Sequence, residues 1–242
     1  MKRIRAGLLA LVALAGFQAL LMAQQPASAK NDRFSVNLSA ERIGNLDKIK
    51  KDLRDYQACT CKCGCYAKDI DLQADRAIAF LRHRAAHRKG DEKLTVVLDI
   101  DETTLSNYEE MQKADFAYNS AAFNAWVESA QAPAIAGTLR LFNEAKKLGV
   151  KIVFLTGRPE AQRAVTEKNL RAQGFQDWER LILRSAAEKG LTAREYKSNQ
   201  RARLAAQGYV LVLSVGDQWS DLKGSPEAEF SVKYPNPYYF LP

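Results

Sequence analysis

The fold class can be predicted from one stretch, Leu94-Thr-Val-Val-Leu-Asp99-Ile-Asp101-Glu-Thr103. Its first five residues form a short, mostly apolar run rich in β-branched side chains, which is typical of a strand buried on both faces. Two acidic residues follow at once, with one residue between them. The stretch therefore predicts a buried strand that carries carboxylates at its end.

Similar apolar runs recur along the chain, at 151–155, 181–183 and 209–215. Helical stretches separate them, at 136–148, 160–173 and 192–207, and a glycine follows each stretch, as is usual where a helix ends. Alternation of strand and helix implies crossover connections and a parallel sheet covered on both sides. We therefore expect an α/β fold with three layers, of the Rossmann type.

Residues 1–29 differ from the rest of the chain. Lys2, Arg3 and Arg5 precede an apolar run over 6–22, and Ala27-Ser28-Ala29 offers the small residues of a cleavage site. This pattern predicts a signal peptide, with the mature protein periplasmic or secreted. The alternative is an uncleaved N-terminal anchor, although the run is short for a membrane span.

The net charge of +8 does not indicate a nucleic-acid-binding protein. Removal of residues 1–29 would take away three basic residues and leave +5, spread along the sequence. The densest basic cluster, 82–89, lies at the end of a predicted helix, where cations complement the dipole. We expect small anionic phosphate esters as partners, no nucleic-acid polymer and no membrane after signal cleavage. A homo-oligomer remains open.

Residues 30–92 are expected to form a helical region in front of the sheet, because apolar residues recur at helical spacing on both sides of a cysteine cluster. All four cysteines lie in this cluster, at 59, 61, 63 and 65. Disulfides are the usual state in an exported protein, but spacings of two residues would close tight rings. Local disulfides, disulfides to a second chain and thiolate metal binding therefore all stay open.

Ligands of such sheets bind beyond the carboxyl ends of the strands. Asp99 and Asp101 at the end of the first strand can lean toward one cleft, and their repulsion should raise one pKa, so that one attacks and the other holds a proton. A polar turn that caps a helix is the plainer interpretation of the same pair.

A second acidic pair follows the last strand. Asp217 and Asp221 are four residues apart after Gly216 and would face the same way on a helical turn. Together with Asp99 and Asp101 they predict an oxygen-rich pocket suited to Mg²⁺. Helix-start acids that interact with a dipole are the alternative.

Two further residues could hold a phosphoryl group. Thr156 follows the second strand with a hydroxyl, although capping the next helix is as good an explanation for it alone. Lys197 lies before the last strand, and only its place in the order of these residues distinguishes it from a surface lysine.

That order resembles the four-motif signature of the haloacid dehalogenase (HAD) superfamily. More narrowly, the stretch from Val97 to Asn107 is similar to the secreted acid phosphatases of that superfamily, namely the bacterial class B and class C enzymes and the plant vegetative-storage-like proteins. The stretches Phe154-Leu-Thr-Gly-Arg158 and Tyr196-Lys-Ser198 match as well. The resemblance covers roughly residues 66–242, but the four-cysteine cluster has no counterpart in it.

The resemblance implies a role for each matching residue. Asp99 would be the nucleophile and Asp101 the general acid and base, with its backbone carbonyl also on the metal. Thr156 and Lys197 would hold the phosphoryl group, with Gly157 and Arg158 beside them, although an ion pair within the protein is an equal explanation for Arg158. Asp217 and Asp221 would bind Mg²⁺ with Asp99.

Residues 106–133, between the first two motifs, should form a small cap on the core of residues 93–242. Tyr108 and Trp126 in this segment could stack on a substrate, although packing within the cap explains them as well. A small cap leaves an open cleft and predicts broad specificity. The aromatic tail from Tyr234 to Phe240 receives no function.

Three functions follow from these residues. The first is a Mg²⁺-dependent acid phosphatase with broad phosphomonoester substrates, including nucleotides. The second is a storage or binding protein on the same fold, although the presence of Asp99 argues against it, since some storage-type relatives lack this nucleophile. The third is a phosphotransferase that donates to alcohols or sugars.

Overall fold

A parallel sheet lies at the centre of the computed structural model, which describes residues 44–59 and 65–241. Within these ranges the sheet has five strands in the order β3-β2-β1-β4-β5, and helices flank it, so the α/β prediction is confirmed. The strands are β1 Lys93–Leu98, β2 Lys151–Pro159, β3 Arg180–Arg184, β4 Tyr209–Gly216 and β5 Phe230–Lys233.

The helices include those predicted at 136–148, 160–173 and 192–207, the second of which begins as a 3₁₀ turn. They are α1 Leu46–Ala58, α2 Tyr66–Ala86, α3 Tyr108–Lys113, α4 Ser120–Ser129, α5 Ala136–Lys147, α6 Arg163–Ala172, α7 Ala193–Ala206 and α8 Trp219–Leu222. In residues 44–59 and 65–241 we find no helix with the length and hydropathy needed to cross a membrane. The predicted signal peptide lies outside the described residues.

Alternating side chains of the central strand enter two different cores. Val96 and Leu98 of β1 pack with the apolar face of α2 and α5, whereas Val97 packs with Tyr196 and Leu204 of α7 on the opposite side of the sheet. Burial on both faces explains why β1 is a nearly continuous apolar run.

Helix α2 crosses α5 at a position where there is no room for a side chain. A Cβ atom at Gly137 would lie 2.8 Å from Ile70 Cγ2 and 3.0 Å from Ala74 Cβ. This close approach lets the two helices cover the sheet together.

Three features differ from the sequence-based expectation or extend it. Strand β2 continues to Pro159, so 156–158 belong to the strand rather than to the loop after it. Strand β5 was not predicted, because four residues at a sheet edge give too short a pattern. In α1, Leu46 and Ile49 are exposed although they share an apolar face.

Helices also lie in the two regions outside the strands and their crossovers. Helices α3 and α4 lie in 106–133, where a small cap is expected, and α1 and α2 lie in 30–92. Cys61 and Cys63 are outside the described residues, so the three alternatives for the cysteine cluster stay open.

Candidate active site

Asp99 follows β1 directly and is buried. Its backbone N–H donates to the Val215 carbonyl of β4 at 3.0 Å, and its own carbonyl accepts from Thr104 Oγ1 at 2.6 Å. Sheet pairing therefore continues through Asp99 and fixes the backbone that carries its carboxylate.

Asp217 and Asp221 follow β4, the neighbour of β1 in the sheet. A Cβ atom at Gly216 would lie 2.2 Å from the Asp221 side chain, so only glycine lets this carboxylate fold back over the strand end. Asp221 Oδ2 also accepts from the Gln218 N–H at 2.9 Å, which caps α8. Asp221 is thereby held at the end of the sheet that carries Asp99, and Asp217 lies close to both.

Lys197 reaches the same point from α7. Its Nζ donates to Asp99 Oδ1 at 2.6 Å and also contacts Asp221 Oδ1. Burial alone would lower the pKa of Lys197, but the two carboxylates outweigh burial and raise it above its ordinary value. The ammonium group therefore stays charged inside the protein.

The donor set fits a divalent cation. One carboxylate oxygen from each of Asp99, Asp217 and Asp221 lies within 4.8 Å of the others, and all three residues are buried. Lys197 supplies a single positive charge against three carboxylates. Clustered carboxylate oxygens are the ligands of hard divalent ions, so these three side chains could hold one.

Without a cation, burial and neighbouring carboxylates raise the pKa values of two of these acids. Burial raises the pKa of Asp99 well above its ordinary value; Lys197 opposes this shift, while Asp221 and Asp217 add to it. Burial and then Asp221 raise the pKa of Asp217 to about 6. Both shifts come from negative charge that is buried with too little positive charge beside it.

Asp101 is held by an arginine. Arg158 Nη2 donates to Asp101 Oδ1 at 2.7 Å, and its Nε lies 3.1 Å and 3.2 Å from the two carboxylate oxygens. Burial would raise the pKa of Asp101, but Arg158 and Asn107 lower it below its ordinary value. In the metal-free protein the carboxyl with the raised pKa is thus Asp99 rather than Asp101, and Arg158 forms an internal ion pair.

Comparison with known proteins assigns the family. The family model described as "HAD superfamily, subfamily IIIB (Acid phosphatase)" matches residues 18–242, which is most of the chain. The chain belongs to this family. It is 40% identical to Acid phosphatase 1 of Solanum lycopersicum over 184 residues, which are 74% of this chain and 66% of that protein. The chain thus spans about two thirds of that relative.

Two other comparisons add a similar sequence and a similar fold. Vegetative storage protein 1 of Arabidopsis thaliana is 28% identical over 227 residues, which cover 88% of this chain and 83% of that protein. The class C acid phosphatase from Bacillus anthracis has the same fold, with a TM-score of 0.66, 22% identity and coverage of 81% of this chain and 86% of that one. The resemblance found in the sequence is therefore confirmed.

In this HAD chain, Thr156 and Gly157 lie side by side on β2. Thr156 is fully buried, and its Oγ1 accepts from the Arg158 N–H at 3.1 Å. Gly157 is exposed, and a Cβ atom there would meet no other atom within 4 Å. The side-chain hydrogen bond described for Asp99 comes from Lys197 rather than from Thr156.

Trp126 and Tyr108 have partners other than the three acids Asp99, Asp217 and Asp221. Trp126 is only 7% exposed, and its Nε1 donates to Asn107 Oδ1 at 2.9 Å. Asn107 Nδ2 in turn donates to Asp101 Oδ1 at 2.9 Å, so Trp126 orients the amide that holds Asp101. Tyr108 packs against Phe116 and lines a cavity of about 310 Å³ whose lining contains none of these acids.

Glu102 and the C-terminal tail are site residues that sequence reasoning missed. Tyr239 Oη donates to Glu102 Oε2 at 2.8 Å, and Asn236 Nδ2 donates to Asp217 Oδ2 at 2.6 Å. Burial, followed by Asp101 and Asp217, raises the pKa of Glu102 to about 8. The left-handed backbone of Glu102 (φ 54°) could not be predicted from the sequence, since glycine usually occupies this conformation. For the tail, the one sequence feature that could have indicated a role was its unusual density of aromatic, asparagine and proline residues.

Proposed function

We propose that this chain is an exported, Mg²⁺-dependent acid phosphatase that hydrolyses small phosphomonoesters through an aspartyl-phosphate on Asp99. The observation that carries the proposal is the contact of Lys197 Nζ with Asp99 Oδ1 at 2.6 Å inside the acidic cluster. This arrangement supports Asp99 as nucleophile, Lys197 as a fixed positive charge beside it, and the three acids as metal ligands at one end of the sheet.

In the first step a carboxylate oxygen of Asp99 attacks phosphorus, and the bond from phosphorus to the ester oxygen breaks in line with the attack. Asp101 gives its proton to the departing oxygen, so the alcohol leaves neutral. Lys197 and the Thr156 hydroxyl would hold the phosphoryl oxygens. Bound Mg²⁺ supplies positive charge that favours the ionised form of Asp99.

In the second step water attacks the phosphorus of the aspartyl-phosphate. Asp101, now a carboxylate, takes a proton from this water, and the bond between phosphorus and the Asp99 oxygen breaks. Phosphate leaves, and both carboxyl groups return to their starting states. The side chains of Asp99, Asp217 and Asp221, with the backbone carbonyl of Asp101, would hold Mg²⁺ throughout.

The proposed substrates and compartment rest on other features. Only two short helices, α3 and α4, lie in 106–133, and so small a cap supports broad specificity that includes nucleotides, with Arg158, Gly157, Tyr108 and Trp126 as candidate substrate-side residues. The pattern of residues 1–29 supports export to the periplasm or medium.

The test is Asp99→Asn, assayed with an aryl phosphate in Mg²⁺. We expect kcat to fall by several orders of magnitude, because an amide cannot form the covalent intermediate. Asp91→Asn, the same change at an exposed aspartate before β1, should leave the rate unchanged. A near-native rate for Asp99→Asn would rule out the covalent route.

A storage protein without catalysis is the second candidate, since the chain resembles vegetative storage protein 1 over 88% of its length. The same colour assay separates the two functions. An inactive wild-type chain that binds Mg²⁺ and keeps its fold would favour storage.

A further inference from the structure

From the contacts of the C-terminal tail, we infer that residues 234–241 are a working part of the metal site, in which Asn236 is the positioning residue that sets the affinity of Asp217 for a divalent cation. The inference rests on the proposed function, because it concerns the Mg²⁺ that the function requires. It assigns a role to a segment that carries no catalytic motif.

The contacts of the Asp217 carboxylate carry the first step of the argument. Its Oδ2 accepts two short hydrogen bonds, from Gln218 Nε2 and from Asn236 Nδ2, each at 2.6 Å. Among the residues that the structure describes, its Oδ1 accepts a single hydrogen bond, from Thr103 Oγ1 at 3.3 Å. Two strong donors on Oδ2 fix the rotation of the carboxylate and leave Oδ1 as the oxygen with capacity for a cation.

The tail holds Asn236 in place for this contact. Asn236 Oδ1 accepts from the N–H groups of Tyr238 and Tyr239 at 2.9 Å and 3.3 Å, which closes an Asx turn. Gln218 Oε1 also accepts from the Leu241 N–H at 3.0 Å. The amide of Asn236 is thereby presented to Asp217 in one orientation.

Two aromatic residues of the tail add anchors on either side. Tyr239 Oη donates to Glu102 Oε2 at 2.8 Å, which ties the tail to the loop after β1. The ring of Tyr238 stacks on Phe116 with a centroid distance of 6.0 Å, and its hydroxyl contacts Gln57 of α1. The tail therefore connects the metal ligand, the loop after β1 and the N-terminal helices.

The chemical nature of the donors suits this role. A neutral amide orients a carboxylate without cancelling the charge that attracts the cation, whereas a lysine there would compete with the ion. Loss of such an outer contact commonly costs 10–100-fold in metal affinity. The tail should therefore affect metal binding more than it affects the fold.

The test is Asn236→Ser, with Mg²⁺ binding measured by isothermal titration calorimetry. Serine keeps an oxygen that can accept from the Tyr238 N–H, but it is too short to reach Asp217. We expect the Kd for Mg²⁺ to rise about 10-fold or more, while Tm of the metal-free protein changes little. The Mg²⁺ concentration that gives half-maximal activity should rise by the same factor, and kcat at saturating Mg²⁺ should be retained.

Asn143→Ser is the matched control, because it makes the same change at an exposed position of α5, outside the tail and the acidic cluster. Its Kd for Mg²⁺ should equal that of wild type. An unchanged Kd in Asn236→Ser, or an equal loss in both variants, would overturn the inference; Asn236→Ala serves the same test if the serine variant does not fold. Wild-type protein that binds no Mg²⁺, whether or not it is active, would overturn the proposed function as well. Mg²⁺ binding by wild type together with an unchanged Kd in Asn236→Ser would overturn the inference alone, so the two failures are distinguishable.

Discussion

The protonation state of Asp101 is subject to two opposite requirements. In the proposed mechanism Asp101 is the general acid and must carry a proton, yet Arg158 and Asn107 both stabilise its carboxylate form. A general acid with a lowered pKa is protonated only at low pH. The ion pair with Arg158 therefore gives a physical reason for an acidic optimum.

Arg158→Gln should move the alkaline limb of the pH profile to higher pH. Activity is lost as pH rises through the pKa of the acid, and removal of the guanidinium raises that pKa. The measurement is kcat/KM for an aryl phosphate against pH in saturating Mg²⁺. Arg158→Lys keeps the charge and should shift the limb less. A limb that stays in place, or moves to lower pH, would show that Asp101 is not the acid.

Residues could be predicted from the sequence where their position follows from a local pattern. Asp99 and Asp217 come directly after buried strands, and parallel topology brings such strand ends together. Asn107, Trp126 and Asn236 could not be predicted in this way. Their roles depend on contacts with residues far away in the chain, and neither an asparagine nor a tryptophan marks a site by itself.

At the scale of elements, α2 and α5 illustrate how closely the helical layer packs. Gly137 permits an approach that no other residue would allow without a shift of Ile70 or Ala74. Interiors packed to this density do not absorb an added methyl group freely.

Gly137→Ala should destabilise the protein by about 1–3 kcal/mol through overpacking. The free energy of unfolding in urea measures the effect, with a matching fall in Tm. Gly190→Ala is the control, because a Cβ atom there meets nothing within 4 Å and its backbone is not left-handed. Equal stability of the two variants would mean that α2 and α5 can separate at little cost.

Helices and strands could be predicted from the sequence where their apolar residues form a clear pattern. Strands β1, β2, β3 and β4 are largely buried runs, and α5, α6 and α7 end near a glycine, so these elements were found with small errors at their ends. In 106–133 the sequence predicted a small cap without the bounds of α3 and α4. Strand β5 has four residues at the sheet edge, where burial hardly shapes the sequence. The short helix α8 is likewise held by the Asp221 side chain rather than by its own pattern.

At the scale of the whole molecule, the buried acids set how stability depends on pH. The pKa values of Asp99, Asp217 and Glu102 are all raised in the folded state. Between about pH 4 and pH 8 the folded protein therefore binds protons that the unfolded chain has released. Stability must fall as pH rises through this window.

Metal-free protein should accordingly be more stable at pH 5 than at pH 8, by an amount on the order of a few kcal/mol. Mg²⁺ should reverse part of the loss, and its effect should grow with pH because the carboxylates are then free to bind it. Urea unfolding in EDTA or in Mg²⁺ at both pH values measures this. Asp217→Asn should flatten the metal-free dependence. Stability that rises from pH 5 to pH 8 in EDTA would contradict the assignment.

The position of β1 at the middle of the sheet also constrains how the protein assembles. Lys93 of β1 pairs with Tyr209 of β4. Strand β1 therefore pairs with a strand that is synthesised much later. Contacts so distant in sequence slow folding, and until they form the apolar side chains of β1 lack the neighbours that bury them. Recovery of catalysis during refolding therefore reports the closing of this central pair, a later event than the appearance of helical signal.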